Sequence, residues 1–209
     1  MITVERGDFG LLHNNCYILT DQSSGICALI DCAVWDAPMQ QFLAGRRPAY
    51  LLLTHGHFDH IGGAAAMRNA TAAAVLVHTA DVPMLSSAEK NLSEMVGIPC
   101  DGTEYDRTVI DGTVLPLGES YITVLATPGH SPGSCCYLCD DALFSGDTLL
   151  CRSVGRTDFP GSDPQQMQKS LERLRTLAAE HPTLRVFPGH GALTTLQAEI
   201  RENPFLKTC

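Results

Sequence analysis

Apolar residues fall in short runs separated by Gly, Pro, Asn, Asp and Ser, and the run lengths fit strands better than long helices. Ile2 to Arg6, Cys16 to Thr20 and Ile26 to Asp31 read as N-terminal strands, the last two joined by the polar turn Asp21-Gln22-Ser23-Ser24-Gly25. Asp36 is placed to cap a short helix through Leu43. Strands are predicted over Leu51 to Thr54 and Ala74 to His78. The small-residue run from Gly62 to Asn69 between them reads as a helix whose N-terminus faces the loop before it. Segments 113–117, 121–126, 134–139 and 142–145 form a second set of strands.

Two late helices carry clearer local signals. Asp163 is an N-cap candidate with Pro164 at the first helical position and Gln166 three residues on, and Met167, Leu171, Leu174 and Ala178 recur on one face. That face should pack on a sheet. A second helix is predicted to start near Thr194, with Gln197 in the capping-box position, and to run to Asn203-Pro204. With no linker, low-complexity tract or repeat, residues 1–209 are expected to form one domain.

The chemistry concentrates at the end of one predicted strand. Tyr50-Leu51-Leu52-Leu53-Thr54 leads into His55-Gly56-His57-Phe58-Asp59-His60, which offers four imidazole or carboxylate donors within six residues. A borderline metal such as zinc favours that donor set, and without one so dense a group would be left unsatisfied. Three further segments read as strand, tight turn, ligand: His130 in Thr127-Pro128-Gly129-His130, Asp147 in Phe144-Ser145-Gly146-Asp147, and His190 in Val186-Phe187-Pro188-Gly189-His190. His13, His78 and His181 lack such context and read as ordinary surface or loop histidines.

The H-x-H-x-D-H motif at 55–60, followed in order by a lone His, a lone Asp and a lone His, resembles the metallo-β-lactamase superfamily over nearly the whole chain. The resemblance implies an α/β fold, a four-layer αββα sandwich with the metals at one sheet edge. It implies two divalent ions, zinc first and iron or manganese as alternatives. His55, His57 and His130 would hold one ion, Asp59, His60 and His190 the other, with Asp147 bridging. Such an ion pair generates a hydroxide near neutral pH and polarises an acyl carbonyl, so acyl-bond hydrolysis follows, with Asp59 and Asp147 as catalytic residues. Within the superfamily, Gly146-Asp147-Thr148, Gly155-Arg156-Thr157-Asp158-Phe159-Pro160-Gly161 and Pro188-Gly189-His190-Gly191 resemble short glyoxalase II-like proteins. That group consists of hydroxyacylglutathione hydrolases, which cleave thioesters such as S-lactoylglutathione. Arg156 is the basic residue expected to meet a substrate carboxylate, unless it braces its loop by pairing with Asp158. The chain ends at Cys209, without the helical C-terminal domain of full-length glyoxalase II, so weak glutathione specificity is expected. A mononuclear-iron persulfide dioxygenase and a lactonase or esterase share the fold. A non-catalytic redox or metal-binding module is the class-different alternative.

The partner that the resemblance implies is a small-molecule thioester, and composition argues against larger ones. A formal net charge of −9 without a Lys/Arg run argues against nucleic acid. No apolar stretch approaches the ~20 residues that cross a bilayer, and the N-terminus lacks a signal-peptide pattern. Nine irregularly spaced cysteines fit reduced thiols in the cytoplasm. The C-x-x-C in Cys135-Cys136-Tyr137-Leu138-Cys139 lies in an apolar run and reads as core packing. Oligomeric state is left open.

Overall fold

The computed structural model describes residues 1–98, 100 and 102–207. Cys209, the ninth cysteine and the end of the expected domain, lies outside them. Among the described residues, twelve strands divide into two sheets along the sequence. The first comprises β1 (Ile2–Phe9), β2 (Asn14–Asp21), β3 (Cys27–Ile30), β4 (Tyr50–Leu52), β5 (Ala74–His78) and β6 (Arg107–Val109), in that spatial order. β1 to β3 pair antiparallel, and β3 to β6 pair parallel. The second sheet comprises β7 (Val114–Leu117), β8 (Ser120–Ala126), β9 (Cys135–Cys139), β10 (Ala142–Gly146), β11 (Arg185–Pro188) and β12 (Thr194–Thr195). Within it only β10 and β11 are parallel neighbours.

The continuous apolar runs arise because most of these strands are covered on both faces. Tyr17, Leu19, Ile30, Leu52 and Leu76 of the first sheet meet Val124, Tyr137, Phe144 and Phe187 of the second in one inter-sheet core. Tyr17, Phe144 and Phe187 form its aromatic centre, with ring centroids 5.0 to 5.5 Å apart. The alternate residues Ile18, Leu29, Leu51 and Val75 face outward, where Met39 and Leu43 of α1 (Ala37–Leu43) and Met67 cover them. On the other side, Cys136, Leu143 and Val186 are covered by α5 (Pro164–Glu180) and α6 (Leu196–Glu202). This is the expected four-layer αββα sandwich.

Most predicted elements are found, with four differences. β4 stops at Leu52 rather than Thr54, because the Thr54 N–H leaves the ladder for the Asp31 carboxylate at 2.8 Å. The helix predicted over Gly62 to Asn69 is α3 (Ala64–Thr71), shifted by two residues, and an unpredicted turn of helix, α2 (Phe58–Ile61), precedes it in the ligand motif. A 3₁₀ turn (Thr79–Met84), the single turn α4 (Ser93–Val96) and the short β6 had no periodic signal. The last helix is capped by Thr195, whose hydroxyl accepts from Ala198 N, so Gln197 is not in the box position. Thr194 pairs with Val186 instead. The caps at Asp36 and Asp163 are as predicted. β9 also bears out the core reading of its thiols. Cys135 and Cys139 face the inter-sheet core while Cys136 faces α5, so Cys136 and Cys139 lie on opposite faces of one strand.

Candidate metal centre

The ligand motif is shaped where β4 runs out. Asp31, at the end of β3, takes Thr54 N and Thr54 Oγ1 on its two carboxylate oxygens, each at 2.8 Å, and turns the chain out of the sheet. His57 then occupies the N-cap position of α2, and the N–H groups of His60 and Ile61 donate to its carbonyl at 3.0 and 3.2 Å. This single turn places Asp59 and His60 beside the two histidines before it. His55, His57 and His60 are buried; Asp59 is slightly open.

The second sheet supplies the other three candidates. His130 sits in the loop between β8 and β9, Asp147 directly after β10, and His190 two residues beyond β11. Because β10 and β11 run parallel, their ends emerge side by side, and Gly189 N donates to Gly146 O at 2.8 Å. Glycine is required at 189, since a Cβ there would collide with Asp147 Oδ1.

All seven side chains predicted from the sequence converge. Their donor atoms form three overlapping groups, each with every atom within 4.8 Å of the others: His55, His57 and His130; His55, His60 and Asp147; Asp59, His60 and His190. His57 Nδ1 and His130 Nε2 lie 2.9 Å apart. Asp147 reaches both ends of the cluster, with Oδ1 3.6 Å from His60 Nε2 and Oδ2 3.6 Å from both His130 Nε2 and His190 Nε2. Tetrahedral coordination at about 2.0–2.1 Å sets ligand atoms roughly 3.3 Å apart, so these separations suit ions held between them. His55 Nε2 and Asp147 Oδ1 are buried without a hydrogen-bond partner, as is His57 Nε2. Buried polar atoms are otherwise almost always paired, so the orphaned atoms fit coordinating positions. The set is a binuclear His/Asp metal-ligand cluster.

Its electrostatics divide in two. Burial, reinforced by the surrounding imidazoles, holds His55 and His57 well below the usual histidine range, so both are neutral with a lone pair to donate. Burial opposes a charge on His60 as well, but Asp31, Asp59 and Asp147 outweigh it and lift this group to about 10. His190 is also raised, against the effect of burial, by its contact with Asp59. The carboxylates thus demand positive charge at this end, and a bound cation supplies it in exchange for protons.

Comparison with known proteins agrees with this geometry. The family model for the metallo-beta-lactamase superfamily matches residues 9–190. The chain belongs to that superfamily. The cluster within this fold makes it a metal-dependent hydrolase. It is 36% identical to the "probable metallo-hydrolase YqgX" of Bacillus subtilis over 96% of each chain. It is 32% identical to the hydroxyacylglutathione hydrolase GloC of Haemophilus influenzae over 76% of each chain. Among solved structures, the B3 metallo-beta-lactamase BLEG-1 superposes with a TM-score of 0.89 at 31% identity, covering 99% of this chain and 100% of that one. TTHA1623 in a di-iron-bound form gives a TM-score of 0.84 at 35% identity, covering 97% and 100%.

In this superfamily member the cluster is braced by residues that sequence reasoning missed. His60 Nδ1–H donates to Asp31 Oδ2 at 2.7 Å, which leaves Nε2 as its donor atom. His130 Nδ1–H donates to Arg156 O at 2.8 Å, and His190 Nδ1–H to Leu12 O at 3.2 Å. These partners set tautomer and ring orientation. Asp81, fully buried in the 3₁₀ turn, ties the two ligand loops together: it accepts from Gly56 N at 2.9 Å, Ser131 Oγ at 2.6 Å and Gly133 N at 2.6 Å. Asp31 carried one readable signal, an acidic residue ending an apolar strand; Asp81 carried none. Asp31→Asn is expected to weaken zinc binding about 10- to 100-fold, measured by chelator competition. Unchanged affinity would show that Asp31 serves the Thr54 turn alone.

The remaining singled-out residues stand apart or at the rim. His13 pairs with Asp8 at 3.0 Å, His78 ends β5, and His181 follows α5; none joins the metal groups. Arg156 lines a cavity of about 410 Å³ over the cluster. Its guanidinium donates to both oxygens of Asp158, at 2.9 and 2.8 Å, and stacks 4.4 Å from the Phe159 ring centroid. The loop-bracing pair therefore forms, on a segment that also faces the cavity. No helix among the described residues is long and apolar enough to cross a membrane.

Proposed function

We propose that this hydrolase cleaves small thioesters of the S-lactoylglutathione type, with His55, His57 and His130 holding one zinc ion, Asp59, His60 and His190 the second, and Asp147 joining them. When bound, such an ion pair acidifies water and polarises the acyl carbonyl. Asp59 lines the cavity, and although burial opposes ionisation, His60 and His190 hold its carboxyl well below the usual range. It is therefore available to accept a hydrogen bond from the attacking water and orient it. One observation carries the choice of leaving group: apart from the candidate ligands, the described cavity residues include a single ionisable side chain, Arg156, which holds no proton to give near neutral pH. A thiolate leaves without protonation, whereas an amine does not. The similarity to GloC, a hydroxyacylglutathione hydrolase, supports the same reading. A reducing compartment such as the cytoplasm suits buried Cys16, Cys27, Cys32 and Cys135, none of which forms a disulfide.

The test is elemental analysis and turnover of S-lactoylglutathione by reconstituted protein. Two ions per chain are expected, with activity lost on chelation and restored by zinc. One tightly bound iron, with oxygen-dependent persulfide turnover and no thioester cleavage, would replace the reading with dioxygenase chemistry.

A further inference from the structure

The cavity over the cluster is polar at its floor and apolar on its walls. Leu92, Met95 and Val96 approach from α4 and the residue before it, Leu12 from the β1–β2 turn, and Leu150 from the segment after Asp147. Phe159 stands over the first histidine group, its ring centroid 5.7 Å from His57 and 6.0 Å from His130. Met95 is 70% exposed, Leu12 46% and Val96 41%, so this apolar surface is open rather than spent on the core. The wall is nonetheless fixed in place. The Phe58 N–H of the ligand motif donates to Asn91 O at 2.9 Å, and the buried Asn91 amide donates to Met84 O at 3.1 Å. Methionine at the most exposed position gives the wall an adaptable, polarisable contact.

The charge inventory points the same way. Arg156 is the one cationic side chain among the described lining residues outside the histidines, and Asp158 neutralises it with two hydrogen bonds. An anionic arm such as that of glutathione, entering here, would give up hydration without gaining a free cation. An aliphatic chain would gain by the same transfer. The cavity, about 410 Å³, lies near the small end of the roughly 300–1,000 Å³ range of ligand sites.

We propose that the site selects thioesters with an aliphatic acyl chain of about four to eight carbons and an uncharged thiol arm, bound along the Leu92–Met95–Val96 wall. This rests on the thioesterase reading and narrows it, with S-lactoylglutathione as a slower substrate of the same site. Metal-reconstituted protein is assayed with acetyl, butyryl, hexanoyl and octanoyl thioesters of N-acetylcysteamine, alongside S-lactoylglutathione. kcat/KM is expected to rise about tenfold per two carbons from acetyl to hexanoyl and to exceed the value for S-lactoylglutathione. Met95→Ser, at a site too exposed to disturb folding, should lower hexanoyl turnover severalfold more than acetyl turnover. A flat series with acetyl cleaved, or S-lactoylglutathione preferred, overturns this selectivity and leaves the thioesterase reading standing. A rising series indifferent to Met95→Ser overturns the assignment to the α4 wall. Cleavage of no thioester removes both.

Discussion

Asp147→Asn is expected to lower hydrolysis on the order of 10³-fold and to reduce bound metal from two ions to one per chain. Asp147 reaches both ligand groups: Oδ2 lies 3.6 Å from His130 of one and from His190 of the other, and Oδ1 lies 3.6 Å from His60. Asparagine keeps the shape but brings no charge, and its amide nitrogen cannot ligate as a carboxylate oxygen does. The residue lies in a loop just after β10, its side chain 11% exposed, so the fold should survive. Steady-state kinetics, elemental analysis and far-UV circular dichroism on one preparation check all three points. Retention of two ions with activity within tenfold of wild type would show that Asp147 does not join the two groups.

The largest effect on stability is expected at Asp81. Asp81→Ala leaves Gly56 N, Gly133 N and Ser131 Oγ facing a small void without their shared acceptor. Hydrogen bonds to a charged group contribute about 1.5–3 kcal/mol each, but burying the carboxylate offsets part of that, so a net loss of about 3 kcal/mol is expected. For a chain of this size the melting temperature should fall by roughly 6–12 °C. Burial raises the Asp81 pKa above 3.8 despite its hydrogen bonds to Ser131, Gly133 and Gly56. The folded state therefore holds this proton more tightly than the unfolded state. That contribution is complete below 3.8 and is lost as pH rises through the folded value. The gap in melting temperature between wild-type and Asp81→Ala apoprotein should accordingly widen from neutral pH towards pH 4. A constant gap, or a shift of under 2 °C, would contradict the clamp.

What the sequence made legible follows from the range of the forces involved. β5 was readable to the residue, and the caps at Asp36 and Asp163 were readable because each acts on N–H groups within three residues. The metal motif was readable because four donors fall within six positions. The early end of β4 was hidden because its cause, Asp31, lies 23 residues away. Asp81 was hidden more completely, since its partners are 25, 50 and 52 residues distant and its own turn has no periodicity. β6 is three residues long and sits at the sheet edge, where pairing with β5 rather than local pattern creates it. The cavity wall was illegible for the same reason: Leu12, Met95 and Phe159 become neighbours only through the fold.

Because the first sheet supplies His55, His57, Asp59 and His60, and the second supplies His130, Asp147 and His190, the centre spans the seam between two halves made in succession. During synthesis the first half emerges with four donors in hand and nothing across from them. The parallel β10–β11 pair, which sets Asp147 beside His190, requires the whole of α5 to emerge before its second strand. A nascent chain therefore cannot assemble both ion sites until His190 has cleared the ribosome. The complete set of seven side chains therefore comes together only in chains whose two sheets have already found each other.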